Sequence, residues 1–155
     1  MLGKLLRLIP ATALLASLLV SLPTAQSQAK TQITSCRAGT KVASRAMQRY
    51  PYASPRYNQA TAYYQMTTKY GWCGQEYTCL ITMWNHESGW RATAHNPYSG
   101  AHGIPQALPG SKMASAGKDW KTNPSTQIAW GLRYIQKRYG TPCNAWGFWQ
   151  KHNWY

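Results

Sequence analysis

Seventeen lysines and arginines stand in this chain of 155 residues against three acids, Glu76, Glu87 and Asp119, so any chemistry that needs a carboxylate must draw on these three. Glu87 is the best placed. From Gln75 onward Tyr77, Leu80, Ile81 and Trp84 recur at the spacing of one helix face. Glu87 lies three residues beyond Trp84 and seven beyond Leu80, on the extension of that apolar face. Gly89 closes the helix. Burial and the negative end of the helix dipole both disfavour a charged carboxylate there, and a Glu held neutral can donate a proton. The competing reading is a surface Glu in a frayed last turn. Cleavage of a glycosidic bond by two carboxylates requires a partner about 5–9 Å away. Glu76 precedes Glu87 on the same helix by roughly 16 Å of rise, and Asp119 serves only if the chain returns to the site. A one-carboxylate route needs neither: Glu87 protonates the leaving oxygen, then acts as base on the sugar's own hydroxyl, closing an anhydro ring.

Other chemistries fit poorly. His86-Glu87 begins like a helical zinc-protease motif, but Trp90 stands where the second histidine belongs. His95 and His102 follow in a loop, without matching ligand spacing. No metal and no cofactor is expected. A Cys–His nucleophile competes with disulfide formation, and Gly110-Ser111-Lys112 has the wrong order for a phosphate loop. The eight tryptophans and eleven tyrosines suit a sugar-stacking surface or a packed core. Trp84 and Trp130 read as core. Trp90, Tyr98, Trp146 and Trp149, in loop or terminal contexts, read as cleft residues.

The elements that must position these groups are helices. Ser54 caps a helix opened by Pro55, which runs to Lys69 before Gly71. The Glu87 helix runs from Gln75 to Gly89. Arg91 to Gly110 is rich in Gly, Pro and Asn and reads as loop, followed by a short helix from Ser111 to Ala116. Asn123 and Pro124 open a helix with the stripe Ile128, Leu132, Ile135 and Tyr139; Gly131 in its middle costs propensity and suits close packing. Gly140 and Pro142 end it, and Cys143 to Tyr155 holds one more short helix. No clear strand alternation appears, which makes the fold mainly α.

The N-terminus reads as an export signal. Lys4 and Arg7 precede an apolar run from Ala11 to Leu22, and small residues after Pro23 suit cleavage near Ala29. The run falls short of the about 20 residues of a membrane span, which disfavours an uncleaved anchor. The expected organisation is a signal peptide over 1–29, an arm or linker over 30–54, and a domain over 55–155. Cys36, Cys73, Cys79 and Cys143 form an even set in an exported chain and point to two disulfides, with three pairings open. Ile33-Thr34-Ser35-Cys36 loosely resembles a lipoprotein box, but a polar stretch separates it from the apolar run. The formal net charge of +14, to which Lys4 and Arg7 contribute two, attracts polyanions. Outside a cell these are anionic wall polymers or lipid head groups rather than nucleic acid. The expectation is a secreted or wall-associated monomer with no stable membrane span after cleavage.

Three ordered segments resemble the soluble lytic transglycosylases, closest to the small secreted wall-lytic proteins of Gram-positive bacteria. Leu80-Ile81-Thr82-Met83-Trp84-Asn85-His86-Glu87-Ser88-Gly89-Trp90 looks like their catalytic helix. Ser99 to Met113, with Gly100-Ala101-His102-Gly103 and Gln106, resembles their second motif. Asn123-Pro124 to Tyr139, with Gln127-Ile128, Trp130-Gly131 and Tyr134-Ile135, resembles the third. The resemblance spans roughly Gly71 to Tyr155. It implies a lysozyme-like α fold with a loop-lined cleft, and cleavage of the β-1,4 bond of peptidoglycan glycan strands to 1,6-anhydromuramyl ends. It implies Glu87 as acid then base, Ser88 supporting the helix end, and substrate contacts from Gln106 and the loop residues Ser99, Gly100, Ala101 and Gly103; Trp90 and Tyr98 join them as contact candidates through their aromatic side chains in loop contexts. Larger members carry Ala-Tyr-Asn after the third helix; Ala145-Trp146-Gly147 stands here, so Trp146 or Tyr134 is the expected substitute for that tyrosine. The resemblance also favours Cys79–Cys143, which leaves Cys36–Cys73. Two other functions remain open: a hydrolytic lysozyme with Asp119 positioning water, and a wall-binding protein without catalysis.

Overall fold

The computed structural model describes residues 24–155; most of the expected signal peptide lies outside them. Five α-helices and a 3-10 turn account for the architecture, and among the described residues the extended structure amounts to isolated bridges. In chain order they are α1 (Ala25–Arg49), α2 (Pro55–Lys69), α3 (Gln75–Ser88), the 3-10 turn Gly110–Ser115, α4 (Pro124–Tyr139) and α5 (Pro142–His152). The mainly α expectation holds. Ser54 caps α2 by accepting from Tyr57 N, Asn123 caps α4 by accepting from Ser125 N, and each helix opens on a proline. Pro142, expected as a stop, opens α5, with Thr141 as its cap.

The N-terminal segment differs from expectation. Residues read as an arm or linker lie within α1, which packs along α2. The apolar signal was weak because small residues make this contact. Ala43 is its one buried residue, and Gly39 lies where any side chain would collide with the Tyr63 ring. Thr40 Oγ1 donates to Thr67 Oγ1 at 2.8 Å, and the Cys36–Cys73 disulfide fastens α1 to the turn before α3. The second disulfide, Cys79–Cys143, fastens α3 to α5. Both pairings are those the resemblance favours. No described helix is long and apolar enough to cross a membrane.

The core gathers residues of α2 to α5 around α3: Ala62 and Met66 of α2, Leu80, Met83 and Trp84 of α3, Ile128, Leu132 and Ile135 of α4, and Ala145 of α5. The loop after α3 contributes Trp90, Ala92 and Ile104. Gly131 lets α4 approach Trp84. A Cβ there would sit 2.7 Å from Trp84 Cζ2 and 3.0 Å from Pro105 Cβ. Gly131→Ala therefore gains about 1 kcal/mol of helix propensity but is overpacked against a rigid indole, which costs about 1–3 kcal/mol. The net expectation is a lower Tm in thermal unfolding; an unchanged or higher Tm contradicts the close approach.

Candidate functional site

Glu87 is the penultimate residue of α3, and Gly89 terminates the helix in the left-handed conformation, with φ 57°. The chain then turns under the helix end and builds a loop whose backbone is held by three polar side chains. Ser88 Oγ donates to Ile104 O at 2.8 Å and accepts from Trp90 N at 3.1 Å. Asn58 Nδ2 donates to Trp90 O at 2.8 Å. Gln127, fully buried, accepts from Ile104 N at 2.9 Å and donates to Ala92 O and Trp120 O at 2.9 and 2.8 Å. These bonds satisfy loop backbone groups that burial would otherwise leave without partners.

Between this loop and α4 lies a cleft of about 420 Å³. Glu87 is on one wall; Asn96, Ala101 and Gln106 come from the loop, Lys112 from the 3-10 turn, Trp130, Tyr134 and Arg138 from α4, and Trp154 and Tyr155 from the tail. Trp130 and Tyr134 stack with ring centroids 5.3 Å apart, and both line the cleft. The guanidinium of Arg138 lies 5.2 Å from the Trp154 ring centroid. Tyr155 fixes the tail: its hydroxyl accepts from Trp84 Nε1 at 2.6 Å and donates to Pro105 O at 3.1 Å. Burial, with the Glu87 charge adding, raises the Tyr155 phenol well above its ordinary value, so it stays a neutral donor.

Glu87 is half-buried, and burial raises its carboxyl above the ordinary value. Trp149 Nε1 donates to Glu87 Oε1 at 2.6 Å and opposes that rise; burial dominates. The other acids are engaged elsewhere. Glu76 Oε2 accepts from Cys143 N at 2.8 Å, at the start of α5. Asp119 accepts from Thr126 Oγ1 at 2.7 Å and Asn123 Nδ2 at 2.6 Å, and these bonds hold its carboxyl below the ordinary value. Neither lines the cleft with Glu87.

Of the expected contact residues, Ala101, Gln106 and Tyr134 line the cleft. The other seven do not line it. Trp90 is fully buried against Trp84, because the left-handed turn at Gly89 and at Trp90 itself (φ 64°) folds its side chain inward. Ser88 is buried and spends its hydroxyl on the loop. Gly103 is the position where a Cβ would meet Gln127 Oε1 at 2.5 Å; it makes room for that carboxamide. Trp146 stacks on His86 and on Trp149, with centroids 5.5 and 5.1 Å apart, and so backs the donor to Glu87. Tyr98, Ser99 and Gly100 occupy a turn between the cleft residues Asn96 and Ala101, where Asn96 Oδ1 accepts from the Tyr98 and Ser99 amides. The Tyr98 ring is 97% exposed and does not line the cleft.

Trp130, read as core, belongs to the cleft, and so do Arg138, Trp154 and Tyr155. A signal existed for two of these. Trp130, Tyr134 and Arg138 recur every four residues on a face of α4 distinct from the Ile128, Leu132 and Ile135 stripe. The histidines do not approach as a ligand set: His95 and His102 pair through isolated bridges, and His102 Nε2 contacts Lys121 O at 2.9 Å. Among the described residues no group of three or more His, Cys, Asp or Glu could hold a metal ion. Comparison with known proteins finds no matching family model, no matching curated protein and no matching solved structure.

The raised Glu87 carboxyl has a consequence for stability. A carboxyl whose folded value exceeds its unfolded value contributes fully below the unfolded value. That contribution is lost as pH rises through the folded value, because the folded state must then hold a half-buried charge. Glu87→Gln removes the charge and keeps an acceptor for Trp149. Its Tm should exceed that of the parent at pH 7–8, and the gap should close below about pH 4, near the ordinary Glu value. Thermal unfolding across pH measures this; a variant less stable than the parent at pH 7 but equal to it at low pH would contradict it.

Proposed function

We propose that this chain is a lytic transglycosylase that cleaves the β-1,4 bond between N-acetylmuramic acid and N-acetylglucosamine in peptidoglycan glycan strands. The observation that carries the reading is a half-buried Glu with a raised carboxyl value, facing an aromatic-lined cleft with no second acidic side chain in its lining. The three segments that resemble the family support it, since Glu87, Ala101, Gln106, Trp130 and Tyr134 come from all three of them and share one cleft. The mainly α architecture with a loop-lined cleft is compatible with a lysozyme-like fold.

In the proposed reaction protonated Glu87 gives its proton to the glycosidic oxygen, and the bond to the muramyl C1 breaks. The resulting carboxylate takes the proton of the muramyl C6 hydroxyl as that oxygen bonds to C1. The products are a free 4-hydroxyl and a 1,6-anhydro ring. No water is consumed, and Glu87 ends protonated for the next turnover. Burial supports the first step by keeping the proton on, and Trp149 supports the second by stabilising the carboxylate. A hydrolytic route needs a group to position water, and Asp119 is held instead at the start of α4 by Thr126 and Asn123.

Mass spectrometry of a cell-wall digest by the protein should find muropeptides with anhydro ends, lighter by one water than hydrolytic products. Glu87→Gln should lower the rate at least about 100-fold, within the range general acid catalysis supplies. Reducing ends alone would favour the hydrolase, and no release of muropeptides would favour a binding protein.

A second test concerns the proton. Trp149→Phe removes a hydrogen bond that favours the charged form, so the carboxyl should rise further. The alkaline limb of the kcat/KM profile should then move to higher pH while kcat falls. Movement to lower pH, or a kcat loss with an unmoved limb, would remove Trp149 from this role.

A further inference from the structure

We infer that the exposed face of α1 is a docking strip for a linear polyanion of phosphodiester chemistry, a polyol-phosphate chain of the cell wall. Arg37, Lys41, Arg45 and Arg49 recur every four residues along α1, and all four are exposed. At the helical rise this sets a cation about every 6 Å over about 18 Å, an arrangement that matches repeated charges along one strand. The local imbalance is complete. From residue 24 to residue 75 there are seven Lys and Arg and no acid, and the three carboxylates of the chain accept from Cys143 N, Trp149 and the Asn123 and Thr126 side chains. Nothing acidic on α1 or α2 competes for the strip.

The strip is rigid. α1 is fastened through Cys36–Cys73 and packs on α2 through Gly39, Thr40 and Ala43. Cations on a fixed helix lose less freedom on binding than cations on a mobile tail. The geometry favours a polymer over a membrane surface. A helix that lies in a bilayer interface needs an apolar face to insert. The inward side of α1 is covered by α2, and its exposed large apolar residues are Ile33 and Val42, at 54% and 65% exposure. Cleavage of the chain near Ala29 would leave all four cations in place. The strip is separate from the Glu87 cleft, and the inference stands whether or not the catalytic reading does.

The test uses polyglycerol phosphate, which contains no glycosidic bond, with binding followed by calorimetry at about 0.15 M salt. The full protein is compared with a variant carrying Arg37→Gln, Lys41→Gln, Arg45→Gln and Arg49→Gln. A charge-matched control carries Lys118→Gln, Lys121→Gln, Lys137→Gln and Lys151→Gln, all exposed and outside the strip. Circular dichroism checks that each variant is folded. The strip variant should lose at least 10-fold in affinity, the control less than 3-fold, and the parent should weaken steeply as salt rises. Equal losses in the two variants would mean net charge alone and would overturn the strip. Tighter binding to phosphatidylglycerol vesicles or to duplex DNA than to polyglycerol phosphate would overturn the choice of partner.

Discussion

The side-chain amide of Gln127 does more to define the site than any group that faces the cleft. It is fully buried and reaches from α4 into the loop, where it accepts from Ile104 N and donates to Ala92 O and Trp120 O. Without it, Ile104 N and Ala92 O would be buried without partners, each at about 1–3 kcal/mol. Gly103 has no Cβ because the Gln127 carboxamide fills that space, and separately Gly131, four residues further along α4, brings the helix onto Trp84 and Pro105. The loop is thereby held between α3 and α4, and Ser88 ties it to the helix end that carries Glu87. The cleft is the space left between a loop that cannot move away and a helix face it does not cover.

Within that frame Glu87 is under two opposed influences. Burial raises its carboxyl, and the hydrogen bond from Trp149 lowers it. A group that gives a proton in one step and takes one in the next benefits from both: burial keeps the acid form available, and the indole N–H stabilises the base form. Trp149 is itself in ring contact with Trp146 and His86, so the segment Ala145-Trp146-Gly147 reaches Glu87 through Trp149.

Much of this was legible in the sequence because local signals and tertiary packing agree. Ser54-Pro55 and Asn123-Pro124 mark helix starts by capping chemistry, and Gly89 marks the end of α3. Helical spacing put Glu87 on the extension of the apolar face, with a surface Glu as the alternative, and the structure half-buries it. What was hidden depended on long-range geometry. Trp90 follows a glycine and stands in a loop by sequence, yet a left-handed backbone turns it into the core. Tyr155 lies among terminal residues with no periodicity, and only its bonds to Trp84 and Pro105 show that it closes the cleft. Residues 30–49 read as linker because α1 packs through Gly, Ala and Thr rather than large apolar side chains, a contact that hydropathy patterning does not register.

The proposed chemistry depends on the fold raising the Glu87 carboxyl, so that a proton stays where an ordinary carboxylate would have lost it. The chain offers an unusually clean measurement, because Glu76 and Glu87 are its only glutamates. Carbon-13 labelling of glutamate side-chain carboxyls gives two resonances to follow by NMR as pH is raised, and the resonance missing from Glu87→Gln assigns them. The Glu87 carboxyl should titrate clearly above about 4.3, the ordinary Glu value. A Glu87 carboxyl that titrates at or below that value would contradict it.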